Sequence, residues 1–134
     1  MTNEGLQHGN TNLEIDELGH LLIPFYRNSV CKDELKQMKP NEKETIIINL
    51  NDSDQKGSHF VLCYKDGEKK YFVSSFGDLP PQEVIDYLGK NIYTTDLQIQ
   101  NFDETTCGLY SLLISYLLNE NIPFEDIILD LYRV

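Results

Sequence analysis

Three residues of the types used in cysteine catalysis occur in the chain order His59, Gln100, Cys107. An imidazole can take a proton from a thiol and return it to a leaving group, and an amide N–H can stabilise an oxyanion. Cys107 lies between the polar stretch 100–106 and an apolar run that continues to Leu118. Because apolar residues recur in that run at helical spacing, we expect a core helix with Cys107 in its first turn.

The expected position of Cys107 at the start of a helix favours a thiolate. Unpaired N–H groups and the positive end of the helix dipole stabilise negative charge there. Thr105 and Thr106 can cap the helix, and Gly108 allows another backbone or a ligand to approach the thiol closely. The alternative interpretation is a buried cysteine at an ordinary helix start, accompanied by a purely structural His59.

The composition indicates one acidic domain. The chain has 134 residues, 40% of them hydrophobic, with a net charge of −11 and a pI near 4.5. This size suits a single domain at residues 12–134, which follows a polar and flexible tail at residues 1–11. Since the chain is acidic and has no basic stripe, nucleic acid is not expected as a direct partner.

The cysteines and the apolar segments bear on cofactors and location. Three cysteines without paired spacing do not form a disulfide framework, and the sequence has no CxxC, HExxH or Cys/His cluster for a metal. The start of the chain is polar, and no apolar run is long enough to cross a bilayer. We therefore expect no metal or other cofactor, no membrane partner, and an intracellular, reducing location.

Periodicity and turn residues predict an α+β domain with a mostly antiparallel sheet and one buried helix. Helical segments are expected at Asn12–Leu22, Lys32–Met38, Gln82–Lys90, Cys107–Glu120 and Phe124–Tyr132. Four strands are expected, at Thr45–Leu50, His59–Lys65, Lys69–Ser75 and Tyr93–Gln100, and Phe25–Val30 is interpreted as a short extended segment. Thr45–Leu50 should be buried on both faces, and Asp66-Gly67 is a hairpin turn. The predicted core side chains of the helices are Val84, Ile85, Leu88, Leu109, Leu112, Leu113, Tyr116 and Leu117.

Several short motifs match one protease family in order and spacing. They are Lys32-Asp33-Glu34-Leu35, Ile48-Asn49-Leu50, Gly57-Ser58-His59-Phe60, Tyr71-Phe72-Val73-Ser74-Ser75-Phe76-Gly77, Pro80-Pro81 with Tyr87-Leu88, and Gln100 with Cys107-Gly108-Leu109. With these motifs, which cover Tyr26 to Leu118, the sequence resembles the adenovirus-type cysteine proteases, the adenain family. It is most similar to the versions encoded by Maverick/Polinton elements and related eukaryotic DNA viruses.

The resemblance implies a role for each residue that matches a family motif. It implies that Cys107 is the nucleophile, His59 the catalytic histidine, and Gln100 the oxyanion-hole glutamine, acting with the Cys107 backbone N–H. It implies an α+β papain-like fold in which the nucleophile heads the central helix. It also implies cleavage of polypeptides at glycine-containing sites and is compatible with a viral activating peptide. DNA activation, known in the family, is not expected here because the chain is acidic.

The acidic member of the family's site is replaced in this chain. Its position is occupied by Ser74, which can accept a hydrogen bond from the imidazole but cannot stabilise imidazolium with a negative charge. Asp78, four residues later, can substitute only if the intervening loop curls back. A second departure is Phe60 where the family has Trp; it keeps an aromatic side chain and loses only the indole N–H.

The leading hypothesis is a cysteine endopeptidase of the adenain type that processes structural precursors of a virus or mobile element, in the virion or in the host nucleus or cytoplasm. The Cys107 thiolate would attack a peptide carbonyl, with His59 as general acid and base. Because Ser74 replaces the acid, a pseudoprotease that binds peptides or acts in assembly is the first alternative. A protease for ubiquitin-like modifiers is the second. In that group the glutamine lies one residue nearer the cysteine, so the spacing here favours the viral branch.

Overall fold

The computed structural model describes residues 12–50, 59–99 and 107–133. The predicted tail at residues 1–11, the polar stretch 51–58 and Gln100 lie outside the described residues. Within the described ranges the strands are β1 (Tyr26–Cys31), β2 (Lys43–Asn49), β3 (Phe60–Asp66), β4 (Lys69–Val73) and β5 (Ile92–Tyr93). They form one sheet in which the order of the strands is their order along the chain.

The sheet is mixed. β2 pairs antiparallel with β3, and β3 pairs antiparallel with β4. β1 runs parallel to β2 at one edge, and β5 runs parallel to β4 at the other. The predicted hairpin joins β3 to β4, with Gly67 in the left-handed region at a φ of 61°. The α+β class is therefore confirmed, and antiparallel pairing is confined to the three central strands.

Helices cover both faces of the sheet. In the described ranges they are α1 (Asn12–Leu22), a 3-10 helix (Lys32–Gln37), α2 (Gln82–Leu88), α3 (Cys107–Asn119) and α4 (Phe124–Arg133). α1 has the predicted bounds, and the ends of the others agree with the prediction to within about two residues, the usual uncertainty of helix ends. Over these ranges no helix combines the length and the apolarity needed to cross a membrane.

Alternation along β2 builds two hydrophobic cores, one on each face of the sheet. Ile47 belongs to the core that contains Cys107 of α3, whereas Ile46 and Ile48 belong to the core that contains Val84 of α2. All three isoleucines are fully buried, as the β-branched run predicts. β3 lies between β2 and β4 in this doubly covered sheet, so the start of β3 is held firmly beside α3.

α3 buries a different face from the one that its apolar spacing predicts. Three residues predicted to be in the core are exposed: Leu109, Leu113 and Tyr116. Small residues face the sheet instead. Ser115 Oγ lies 2.7 Å from Thr45 Oγ1 of β2, and Ser111 Oγ donates to the Cys107 carbonyl oxygen at 3.0 Å. Because both hydroxyls have hydrogen-bond partners, they can be buried and let the helix approach the sheet closely.

The prediction for α2 is wrong at one position. Ile85 is 41% exposed, while Val84 and Leu88 are buried as predicted. Tyr87 is buried where Ile85 was predicted, because its hydroxyl donates to the buried carboxylate of Glu44 at 2.6 Å. A polar partner on the neighbouring strand thus decides which side of the helix turns inward.

The last predicted strand, Tyr93–Gln100, is also wrong. Only Ile92 and Tyr93 pair with β4, and the chain then leaves the sheet. It packs against the turn that follows β4, where the Ile99 N–H donates to the Ser75 carbonyl oxygen at 2.9 Å. This packing satisfies a backbone group outside the ladder and supports the turn that carries part of the candidate site.

Candidate active site

The structure brings the predicted cysteine and histidine together. Cys107 is the first residue of α3, and His59 immediately precedes β3. The Phe60 backbone N–H donates to Cys107 Sγ at a donor–acceptor distance of 3.2 Å. This hydrogen bond holds the thiol against the backbone segment that carries the imidazole, so two segments far apart in the sequence form one site.

The contacts of His59 define its tautomer. Nε2 lies 2.9 Å from Asp78 Oδ2 and 3.0 Å from Ser74 Oγ. Since a carboxylate can only accept hydrogen bonds, Nε2 carries the hydrogen and donates it. Nδ1 is buried and has no hydrogen-bond partner among the described residues. In the neutral ring Nδ1 therefore keeps a free lone pair and can act as a base towards the thiol of Cys107.

Asp78 reaches His59 because the chain turns tightly after β4. Ser74 Oγ donates to Asp78 Oδ2 at 2.7 Å, and the Gly77 N–H donates to the Ser74 carbonyl oxygen at 3.0 Å. Gly77 has a φ of 84°, and a Cβ there would lie 2.6 Å from the carbonyl oxygen of Asp96. The loop does curl back, and Asp78 places beside the imidazole the carboxylate that position 74 lacks.

The same turn places an aromatic ring on the imidazole. Phe76 stacks on His59 with an interplanar angle of 3° and a centroid separation of 4.2 Å. The Phe76 backbone N–H donates to Ser74 Oγ at 3.2 Å. No sequence pattern singles out Phe76 for a role at the site; its only signal is its place in the motif that also contains Ser74.

Burial opposes the ionisation of Cys107. The residue is 1% exposed, and burial raises the pKa of its thiol. The backbone N–H groups of Phe60, Gly108 and Cys107 itself lower that pKa, as expected at a helix start, but burial has the larger effect. Burial thus opposes the thiolate that the position at a helix start favours.

Burial also lowers the pKa of His59 below its ordinary value of 6.5. Asp78 acts in the opposite direction, through its charge and its hydrogen bond. Because the Asp78 side chain is 47% exposed, water weakens this attraction. Burial therefore favours the neutral form of both the thiol and the imidazole, whereas Asp78 favours the charged ring.

Two other groups bear on the chemistry of the chain. Gln100, the predicted oxyanion donor, lies outside the described residues, and its role stays a prediction. In the described ranges one set of potential metal ligands lies within 4.8 Å of one another: Cys31, Asp33 and Glu34. The Glu34 carboxylate accepts the Cys31 backbone N–H at 2.8 Å, and burial raises the pKa of the Cys31 thiol. These contacts are explained by the start of the 3-10 helix.

The fold is similar to that of ASFV pS273R protease. One crystal structure of that protease superposes with a TM-score of 0.61 at 20% sequence identity, covering 89% of this chain and 60% of the other. A second, of the selenomethionine protein, superposes with a TM-score of 0.54 at 23% identity, covering 67% of this chain and 39% of the other. No protein-family model and no curated protein matches the sequence.

This likeness establishes the fold. The chain has the α+β fold seen in ASFV pS273R protease, with a central helix that begins at Cys107 and packs on the sheet. The fold class predicted from the sequence is confirmed. The chain spans about 60% of the length of the ASFV protease. Because one fold can serve many functions, activity has to be argued from the site itself.

Proposed function

We propose that this chain is a cysteine peptidase whose nucleophile is Cys107. The observation that carries the proposal is the environment of His59. Its Nε2 donates to Asp78, its Nδ1 is free among the described residues, and the Cys107 thiol accepts a hydrogen bond from the N–H of Phe60, the next residue in the chain. A thiol, an oriented imidazole and a carboxylate are the groups that a cysteine acyl-transfer enzyme requires. The protease fold supports the same conclusion.

The proposed reaction starts from the neutral pair. His59 Nδ1 takes the thiol proton as Cys107 Sγ attacks the carbonyl carbon of the peptide, which gives a tetrahedral oxyanion. Asp78 stabilises the imidazolium formed in this step. The imidazolium then donates its proton to the leaving amine as the C–N bond breaks, and water hydrolyses the resulting thioester with His59 again as base. Gln100 and the Cys107 backbone N–H are the proposed oxyanion donors.

The proposed substrates are polypeptide structural precursors of a virus or virus-like mobile element, cleaved at glycine-containing sites. Support comes from the adenain-type motifs around His59 and Cys107, which are most similar to the Maverick/Polinton versions. A viral activating peptide is compatible with the proposal, whereas DNA activation is not proposed because the net charge is −11. The proposed location is the virion or the host nucleus or cytoplasm, and the three free thiols are compatible with the reducing compartments of a host cell.

The pseudoprotease alternative loses its main support. It depends on the absence of an acid at Ser74, yet Asp78 Oδ2 contacts both Ser74 and His59. The alternative of a protease for ubiquitin-like modifiers is supported only by the fold and by the order of His59, Gln100 and Cys107 along the chain. An endopeptidase that uses Asp78 as the third member of the site is therefore the function that the geometry supports best.

A glycyl-glycine peptide ending in a vinyl sulfone tests the proposal, because it alkylates a cysteine that attacks as a protease nucleophile. We expect labelling at Cys107 and none at Cys31 or Cys63, measured by mass spectrometry of the intact protein and its fragments. His59→Ala should abolish labelling. Cys31→Ser is the matched control, since Cys31 is a partly exposed thiol outside the site, and it should label at the wild-type rate.

The pH dependence of labelling has a defined direction. Because the pKa of His59 is lowered from 6.5, Nδ1 stays unprotonated and available as base at pH 6.5. The labelling rate should hold there and fall only at lower pH, where a protonated imidazole cannot take the thiol proton. A rate that rises steadily towards pH 9, the ordinary thiol pKa of 9.0, and does not respond to His59→Ala would contradict the proposal.

A further inference from the structure

We infer that Phe76 is a positioning residue for His59: its ring fixes the plane of the imidazole so that Nε2 meets Asp78 and Nδ1 stays free for the thiol of Cys107. The inference rests on the proposed peptidase function. It starts from the stacked contact, in which the two rings lie within 3° of parallel at a centroid separation of 4.2 Å. No part of the proposed reaction by itself requires such a contact.

An imidazole needs a restraint of this kind. Rotation of a histidine ring about its second side-chain torsion is soft, so the ring can tilt out of the plane in which Nε2 meets Asp78. The hydrogen bond to Asp78 restrains the ring only in part, because water competes for a carboxylate that is 47% exposed. A flat ring in contact with the whole imidazole face restrains its plane directly.

Phe76 is itself held firmly. Its own N–H donates to Ser74 Oγ at 3.2 Å. On either side, the Ser75 carbonyl oxygen accepts the Ile99 N–H at 2.9 Å, and the Gly77 N–H donates to the Ser74 carbonyl oxygen at 3.0 Å. These hydrogen bonds fix the backbone of Phe76 within the turn that also carries Asp78.

The stacked ring also acts on charge. When His59 accepts the thiol proton, the positive imidazolium lies against the electron-rich face of Phe76, an attractive arrangement. Asp78, on the same turn, acts at the edge of the imidazole through Nε2, and Cys107 approaches from α3. Phe76 acts on the face of the ring, which is largely buried because the His59 side chain is only 17% exposed. It thus offsets part of the penalty for forming the charged intermediate.

The test compares Phe76→Leu and Phe76→Tyr with the wild-type protein by vinyl sulfone labelling and by NMR with 15N-labelled histidine. Phe76→Leu should lower the maximum labelling rate about 10- to 100-fold, as misplaced catalytic groups do. The half-saturating probe concentration should not change, because the ring acts on the imidazole. Phe76→Tyr keeps the aromatic face and should retain the rate to within about twofold. His59 should show the Nε2–H tautomer alone in the wild type and in Phe76→Tyr, and a mixture in Phe76→Leu.

Phe124→Leu is the matched control, since Phe124 is another half-buried aromatic residue, which contacts Tyr71 instead of His59. It should change neither readout. If Phe76→Leu keeps the wild-type rate and a single tautomer, or if both leucine variants lose rate equally, the inference is overturned. If the wild-type protein is not labelled at all, the proposed function fails, and the NMR comparison still decides whether Phe76 orients His59.

Discussion

At the scale of single residues, the carboxylate of the candidate site is displaced along the chain and not lost. Asp78 Oδ2 accepts hydrogen bonds from His59 Nε2 at 2.9 Å and from Ser74 Oγ at 2.7 Å. Two donors on one oxygen hold the carboxylate in place more firmly than either would alone. Ser74 is thus a link between the turn and the carboxylate, and its hydroxyl is compatible with a working site.

Moving the carboxylate between positions 74 and 78 tests this arrangement. We expect Asp78→Asn to lower the labelling rate of Cys107 about 100-fold, because an amide cannot stabilise imidazolium. Ser74→Asp alone should also lower the rate. In the wild type, Ser74 Oγ lies 2.7 Å from Asp78 Oδ2, so a carboxylate at position 74 would lie next to that of Asp78. Two carboxylates at such a short distance share a proton. The double variant S74D/D78S should recover the rate to within about tenfold of wild type.

Asp96→Asn is the control for this series, because Asp96 is an exposed acid on the segment that packs against the same turn. Its labelling rate should equal that of the wild type. A wild-type rate in Asp78→Asn would mean that the imidazole works without a carboxylate. A strong gain of rate in Ser74→Asp alone would instead support the pseudoprotease alternative, in which the site has lost its acid at position 74.

The sequence identifies the members of the site but cannot choose between Ser74 and Asp78. That choice depends on the φ of 84° at Gly77 and on its close approach to the Asp96 backbone, a contact between segments that the sequence does not relate. The protonation state of Cys107 is hidden for a similar reason. A helix start is visible in a sequence, whereas burial depends on every segment that packs around the thiol.

At the scale of elements, strong periodicity and turn residues predict where helices and strands lie, and packing decides which faces they bury. α1 follows the prediction because its leucines recur at helical spacing, and the β3–β4 hairpin follows it because alternation and a glycine turn agree there. α3 is apolar on all sides, so periodicity cannot select its inner face, and the partnered hydroxyls of Ser111 and Ser115 decide it. The strand predicted at Tyr93–Gln100 ends early because contacts with the turn at 74–78 replace ladder pairing.

The site depends on the turn at 74–78. Comparing Gly77 in that turn with Gly67 in the β3–β4 hairpin distinguishes the cost of a positive φ from the cost of a steric clash, because both have a positive φ and only Gly77 approaches another backbone closely. Gly67→Ala places a side chain at a φ of 61° with no neighbour closer than 3.4 Å, so it should lower the free energy of unfolding by about 1–2 kcal/mol. Gly77→Ala adds a clash, 2.6 Å from the Asp96 carbonyl oxygen, and should lower it by a further 1–3 kcal/mol, roughly. Urea denaturation measures both.

Labelling separates the two variants further. Gly77→Ala should reduce the labelling rate of Cys107 in the folded protein, since the turn carries both Asp78 and Phe76. Gly67→Ala lies in the hairpin between β3 and β4 and should leave the rate unchanged. Equal losses of stability and of rate in the two variants would show that the approach of Gly77 to Asp96 does not position the site.

At the scale of the whole molecule, the sheet separates the candidate site from a second buried polar cluster. The carboxylate of Glu44 in β2 is 1% exposed and accepts hydrogen bonds from Arg27 Nη1 at 2.8 Å, from the Tyr87 hydroxyl at 2.6 Å and from the Asn41 N–H at 3.0 Å. Alternation places Glu44 on the face that packs against α2, whereas Cys107 lies on the other face. The cluster ties β1, β2 and α2 together and should stabilise the fold without acting on the site.

Glu44→Gln and Tyr87→Phe test this separation. Glu44→Gln leaves the guanidinium of Arg27 without its charge partner and should lower the free energy of unfolding by about 3 kcal/mol, the lower end for a broken buried pair, because Arg27 is 28% exposed. Tyr87→Phe removes two hydrogen bonds, the one that the hydroxyl donates to Glu44 and the one that it accepts from Arg27 Nη1, and should lower it by about 2 kcal/mol. Under conditions where both variants stay folded, the labelling rate of Cys107 should equal that of the wild type. A labelling rate that falls in step with stability would instead show that the two faces of the sheet are coupled.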